Sequence, residues 1–232
     1  MARPTYVGAG AAQFTTVGTM VPPLPTGWAV DDIFFILWIH NNAASPPSGW
    51  AEVSNSPQNR AQSGATYESV FWRRAVAGDT APTLPGAGNG ACQCVAFRGC
   101  IATGTPFQAG TGGFHNTATT AYSSTGFTTT EAESLVCCFA GRNGDNLGVQ
   151  WSGWAGSGLA NVTERLDQGF SHGLGGGYAF ATGEMDTAGA QGPITATLAT
   201  SRAFFWIELA LLPVVTVPAA AALAYPQAFI ID

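Results

Sequence analysis

Residues 31–40 read DDIFFILWIH, two aspartates followed by an unbroken apolar run, Ile33, Phe34, Phe35, Ile36, Leu37, Trp38 and Ile39. A strand sends successive side chains to opposite faces. A strand with one wet face therefore alternates apolar and polar residues. This one does not alternate, so both of its faces need cover. Ile33, Phe35, Leu37 and Ile39 share one face and fill a core. Phe34, Ile36 and Trp38 share the other and require a long loop, a neighbouring domain or another protomer. Full burial of each such side chain contributes roughly 1.5–3 kcal/mol. Left exposed together, they make a patch that monomers seldom carry.

The rest of the chain reads as strands and turns. No window of a dozen residues keeps the 3.6 period of an amphipathic helix. Strand-like runs recur near 14–20, 32–40, 50–54, 66–76, 91–98, 117–122, 135–141, 147–151, 161–167, 177–182, 194–199 and 203–212. Between them lie Gly-, Pro-, Asn- and Ser-rich loops such as 41–49, 54–64 and 77–90. Short strands bounded by such turns predict an all-β fold, an antiparallel β-sandwich of jelly-roll-like kind. Residues 65–78 and 135–140 again carry apolar side chains on both faces. The expected organisation is an N-terminal arm or first strand over 1–20, a sandwich domain over 21–213 and an extended arm over 214–232. That arm holds Pro218, Pro226 and an alanine run, yet Tyr225, Phe229, Ile230 and Ile231 make it too apolar for a free tail. With Phe34 and Trp38, these four are the candidate subunit-interface residues.

Charge narrows the function. Only 9% of residues are charged, the net charge is −6, and all eight basic side chains are arginines. Nucleic-acid binding needs a basic stripe, and the single adjacent basic pair is Arg73-Arg74, so no nucleic-acid partner is expected. A membrane helix needs about 18 consecutive apolar residues. The nearest run, 204–215, is interrupted by Glu208 and stopped by Pro213, so no membrane partner is expected either. The opening MARPTYVGAG lacks a basic region followed by an apolar run, so the chain is expected to start in the cytoplasm. A normal apolar share, 46%, with so little charge points to a surface covered by neighbouring protein, in a homo-oligomer. The five cysteines, Cys92, Cys94, Cys100, Cys137 and Cys138, contain no CxxC pair for zinc and read as buried thiols. A bridge from Cys92 or Cys94 to Cys137 or Cys138 is the alternative.

Catalytic sets are thin. Asp31/Asp32 and Glu131/Glu133 are the nearest carboxylate pairs, Glu131 and Glu133 being expected on one strand face, but nothing places either pair across a cleft as glycoside hydrolysis requires. His40, His115 and His172 lie far apart, and Ser157 lacks the spacing of a nucleophile elbow. Residues 142–146, RNGDN, lack the full ligand series of a calcium loop and read as a turn. No cofactor or metal is therefore expected, and no enzyme. Arg73 and Arg74 point to opposite faces and are expected to pair with acids such as Asp31, Glu68 or Asp79. Trp151 and Trp154 in the Gly/Ser stretch 150–158 offer a stacking platform for sugar rings, which makes a carbohydrate-binding module one reading.

A series of segments carries a family resemblance. PPLPTGWAVDDIFFILWI, PPSGWAEV, ESVFWRRAVAGDTAPTL, CVAFRGC with GTPFQ, TTTEAESLVCCFAGR, DTAGAQGPITATLAT and FFWIELALLPV occur in this order. Together they resemble a glycine-rich β-sandwich family of tailed-phage virion modules. The matching places are Ala29-Val30-Asp31, Ser48-Gly49-Trp50, Trp72 to Asp79, Ala96 to Gly99 and Leu209 to Pro213. The resemblance covers roughly residues 20–213 and implies a virion structural role. The reading is a capsid decoration (cement) protein, trimeric by preference, bound to the major capsid protein. A tail, baseplate or fibre-associated subunit bound to tail proteins is the alternative. Either is assembled in the host cytoplasm.

Overall fold

The computed structural model describes residues 1–16, 18–42, 44–59, 66–85, 89–171 and 176–214. The predicted arm residues Tyr225, Phe229, Ile230 and Ile231 lie outside the described residues. The strands are β1 (Thr5–Ala9), β2 (Gln13–Thr15), β3 (Ile33–His40), β4 (Ala51–Glu52), β5 (Gln58–Asn59), β6 (Tyr67–Arg74), β7 (Gly90–Arg98), β8 (Phe107–Ser123), β9 (Phe127–Thr129), β10 (Ser134–Asn143), β11 (Trp151–Gly156), β12 (Ala160–Phe170), β13 (Gly176–Met185), β14 (Gly189–Gln191) and β15 (Ile194–Leu211). One sheet has the order β1-β7-β3-β6-β4, with β2 also on β7 and β5 on β6. The other has the order β11-β15-β10-β13-β12, with β8 also on β15. Strands β9 and β14 form a small ribbon. Pairings are antiparallel throughout both sheets. The protein is the all-β antiparallel sandwich that its turn-bounded strands predict. No helix among the described residues is long and apolar enough to cross a membrane.

The sheets meet over one apolar layer. Ile33, Phe35, Leu37 and Ile39 of β3 join Phe139, Tyr178, Phe180, Ile207 and Leu209 of the opposite sheet. Phe35 lies 5.5 Å from Phe139, and Phe97 meets Phe180 edge-on at 5.8 Å. These ring distances suit the aromatic quadrupole, which favours offset and edge-to-face contacts.

The outer face of the first sheet corrects one expectation. Phe34 and Trp38 are fully buried within the chain itself and do not form a subunit interface. Their cover is made of Met20, Leu24, Trp28, Trp50 and Leu84. Trp28 meets Phe34 edge-on at 5.4 Å, and Trp50 stacks on it at 6.2 Å. Met20 and Leu84 tie two strips of this cover together, through N–H to carbonyl bonds of 3.4 and 2.8 Å. The physical reason lies in residues 20–30, where prolines forbid a regular strand partner while Met20, Leu24 and Trp28 still seek a dry surface. The segment therefore lies across the sheet as a lid. Of the covers that the apolar run demands, the long loop is the one used.

The second sheet covers its own outer face. Tyr122 pairs with Ala196, yet its hydroxyl lies 3.2 Å from Cys138 Sγ, and Cys138 pairs with Glu208. Along a straight strand Ala196 and Glu208 would lie roughly 40 Å apart. Breaks in register between Thr197 and Phe204 fold the first half of β15 back over the sheet. Ile194, Ala196 and Leu198 thereby join Val136, Cys138, Phe204 and Trp206 in one cluster. The runs predicted at 194–199 and 203–212 are thus one bent strand. All five cysteines are buried and unbridged, and burial pushes every thiol pKa up.

Among the described residues, a carboxyl group is one of the buried polar groups in this packing that have no hydrogen-bond partner. Glu68 on β6 is completely buried, and among the described residues neither carboxyl oxygen has a hydrogen bond. It faces Gly141, where a Cβ would come within 3.4 Å of the carboxyl carbon and 2.7 Å of Ile39 Cδ1. Burial raises the pKa well above its ordinary 4.5, so the group is held as a neutral acid. A raised carboxyl pKa stabilises the fold fully below the unfolded value and loses that contribution as pH rises. Glu68→Gln removes this dependence. The stability of the variant relative to the parent should grow as pH rises from ~4.5 towards the raised folded-state value, by at most about 1.4 kcal/mol per pH unit, and level off beyond it. Urea unfolding of both proteins at pH 5 and pH 8 measures it, and an unchanged difference refutes the neutral buried acid.

Candidate functional site

The most distinctive surface of the molecule is the loop between β10 and β11. Its foundation is Arg142, which is fully buried. The guanidinium donates to the carbonyls of Gly144 at 2.7 Å, Asn143 at 3.3 Å and Asn146 at 3.4 Å. It also lies 5.9 Å from the Trp151 ring. Two glycines make room for this. A Cβ on Gly177 would come within 3.0 Å of Arg142 Nε, and one on Gly169 within 2.5 Å of the Asn146 carbonyl. Burial, with the neighbouring charge of Arg202, lowers the Arg142 pKa to about 10, so it stays charged at neutral pH.

A carboxylate completes the brace. Asp167 on β12 accepts the backbone N–H of Gln150 at 2.9 and 2.7 Å and that of Trp151 at 2.7 Å. Burial pushes its pKa up to about 6, against the pull of the two N–H bonds. The Gln150 side chain donates to the carbonyls of Leu147 at 3.0 Å and Gly148 at 3.1 Å and accepts from Asn146 Nδ2 at 2.9 Å. Arg202 reaches the Asp145 carbonyl at 3.4 Å. Gly144 and Gly148 supply the left-handed turns, at φ 83° and 81°.

The loop is thus inside out. The side chains of Asn146 and Gln150 are consumed within, while Leu147 and Val149 are each 70% exposed. Phe14, 43% exposed, stands at the same end, 6.2 Å from Phe170. The Phe170 carbonyl in turn accepts from Asn146 N at 3.4 Å. A braced loop gives up little conformational freedom on binding, which favours association. Sequence reasoning missed this surface. It read residues 147–151 as strand and 142–146 as a plain turn. The available signal was a pair of aliphatic residues inside the turn-rich stretch GDNLGVQ.

The predicted platform of Trp151 and Trp154 does not form. Trp151 is buried beneath the loop it helps to anchor. Trp154 is partly buried against Tyr122 at 5.5 Å, and its indole N–H donates to Glu164 at 2.6 Å. The carboxylate pairs are structural as well. Asp32 binds Arg98 at 2.7 and 2.9 Å and accepts Ala29 N at 2.8 Å. Glu131 and Glu133 precede β10 in a turn instead of sharing a strand face, and Glu133 pairs with Arg3 at 3.0 Å. Arg73 pairs with Asp79 at 2.8 Å, whereas Arg74 binds only backbone, the carbonyls of Ile101 at 2.7 Å and Asp31 at 3.4 Å.

Ser69 and His40 form a nucleophile-like pair. His40 Nε2 lies 3.0 Å from Ser69 Oγ, and His40 Nδ1 bonds the Asn42 carbonyl. Both residues are fully buried, the imidazole lying between Trp38 and Tyr67. Burial lowers the His40 pKa to about 4, so the ring is neutral. Nδ1–H then donates to Asn42, and Nε2 accepts the serine proton. The pair ties β3 to β6 inside the packing. His115 stacks on Phe204 at 5.0 Å, and His172 lies outside the described residues. Among the described residues no three His, Cys, Asp or Glu side chains gather as a metal site.

Comparison with known proteins finds no matching family, no similar curated protein and no similar solved structure. The loop supports a direct test. Arg142→Met strands two or three carbonyls and should lower the unfolding free energy by about 3 kcal/mol. Hydrogen exchange should quicken first over residues 144–150, with β3 and β7 still protected. Uniform quickening across the chain would show that the arginine does not brace the loop.

Proposed function

We propose that the protein is a non-enzymatic structural component of a tailed-phage virion, a capsid decoration (cement) protein that works by binding. In this reading it is a homo-oligomer, trimeric by preference, seated on the major capsid protein after assembly in the host cytoplasm. The observation that carries the reading is the braced loop with Leu147 and Val149 turned to solvent. The ordered motif series, the antiparallel sandwich and the sparse charge accord with it. The contact surface differs from the sequence reading at Phe34 and Trp38, while Tyr225, Phe229, Ile230 and Ile231 lie outside the described residues. Phe34 and Trp38 are consumed by the chain's own lid, and Leu147, Val149 and Phe14 take their place.

The mechanism is linkage. A protein that binds only the assembled shell stabilises it in proportion to its own binding free energy. Apolar side chains dried across a capsomer seam supply that free energy, and a pre-braced loop spends little of it on ordering. Particles stripped of the protein should rupture at lower temperature, and adding it back should restore the parent value. Adding back Leu147→Asp/Val149→Asp should not. Unchanged rupture of stripped particles overturns the cement role. Antibody labelling confined to the tail would assign the protein instead as a tail, baseplate or fibre-associated subunit.

A further inference from the structure

An apolar cleft opens at the end of the sandwich opposite the braced loop. It measures about 450 Å³ and is lined by Ala29, Val30, Arg98, Cys100, Ala102 and Val214, among others. The length of β3 sets cleft and loop apart. Asp32 borders the cleft and immediately precedes β3. At the far end of β3, Ile39 and Phe14 both pair with Ala91, and Phe14 faces Phe170 at the foot of the loop. The eight residues of β3 span roughly 25 Å. Loop and cleft therefore cannot meet within one chain.

Both features are rigid. Arg98 is bonded to Asp32 at 2.7 and 2.9 Å, and Val214 N–H donates to the Gly99 carbonyl at 3.2 Å. Val30, half exposed at the rim, precedes Asp31, whose φ of 70° is held by its N–H bond to the Ala75 carbonyl at 3.0 Å. The loop has its own brace in Arg142 and Asp167. Two rigid surfaces lose little freedom on meeting.

The two surfaces also match. Leu147 and Val149 are an aliphatic knob, and Ala29, Val30, Ala102 and Val214 are aliphatic walls. A cleft of this size lies in the range that encloses a small ligand, so it has room for two such side chains. Seating the knob takes apolar surface of both partners out of water. The flanking charges are opposite. Arg202 reaches the Asp145 carbonyl beside the knob, Asp31 is exposed beside the cleft, and among the described residues neither belongs to an ion pair.

We infer that Leu147 and Val149 of one copy seat in the cleft between Val30, Ala102 and Val214 of a second copy, with Arg202 of the first beside Asp31 of the second. Each copy offers one knob and one cleft, so contacts repeat until all are used and the assembly closes. The inference deepens the homo-oligomer of the virion reading, on which it rests, by naming the surfaces that join its copies. It is measured on the isolated protein, so it can fail while particle rupture still responds to the protein, and the reverse.

Sedimentation of the isolated protein reads it. The parent should self-associate. Leu147→Asp/Val149→Asp, which spoils the knob, and Val30→Asp/Ala102→Asp, which spoils the cleft, should each self-associate about tenfold more weakly or less. All four side chains are exposed, so the sandwich should keep its fold. An equimolar mixture of the two variants should regain association and stop at a one-to-one pair, because such a pair holds one intact knob and one intact cleft. Ala102→Trp fills the cleft and replaces the first cleft variant if that one fails to fold. A parent that stays monomeric at millimolar concentration overturns the inference. So does a folded cleft variant that self-associates as strongly as the parent, which would set knob against knob. A mixture of folded variants that remain monomers overturns it as well.

Discussion

Everything in this fold answers to the need to dry both faces of β3. A central strand apolar at every position from Ile33 to Ile39 has no wet side. One face is dried by the opposing sheet, the other by a proline-rich lid. The second sheet meets a similar demand by another route, bending β15 until its outer face closes on itself. Three apolar layers in a chain of 232 residues leave few surface positions for large hydrophobic side chains. Those that remain exposed, Leu147 and Val149 above all, therefore stand out against a quiet background.

Polar groups inside such packing must be neutral or enclosed. The protein uses both solutions. Glu68 and His40 are held uncharged by burial, with opposite consequences for proton uptake. Glu208 accepts Ser124 Oγ at 2.6 Å and Thr111 Oγ1 at 3.0 Å and is likewise raised by burial. Arg142 keeps its charge and is enclosed by carbonyls instead. A guanidinium suits this task because its planar fork feeds several acceptors at once. The scarcity of charge in the sequence thus has a structural counterpart, in that several of the few ionisable groups are assigned to interior work.

The fold class was legible because turn residues and short apolar runs mark strands without reference to partners. The doubly apolar character of β3 was equally plain from Ile33 to Ile39. What covers Phe34 and Trp38 was not, because the lid of residues 20–30 has no period and announces no secondary structure. Trp151 and Trp154 looked like a platform since a Gly/Ser context suggests exposure. Only the paths of β11 and β15 show that Trp151 points inward. The brace under Leu147 was hidden for a deeper reason. It joins Arg142, Asp167 and Arg202 from three strands, and no local pattern encodes a meeting of side chains so far apart in sequence.

The sandwich also begins and ends at a single corner. Ala2 bridges to Val214, and Cys100 bridges to Pro213 beside them. A load that enters through one of these neighbouring strips and leaves through the other need not pass through the body of the protein. Such a load would peel the corner open one bond at a time, whereas a pull along β15 must shear its contacts with β8, β10 and β11 together. The sandwich is accordingly weak at this corner and stiff along its longest strand.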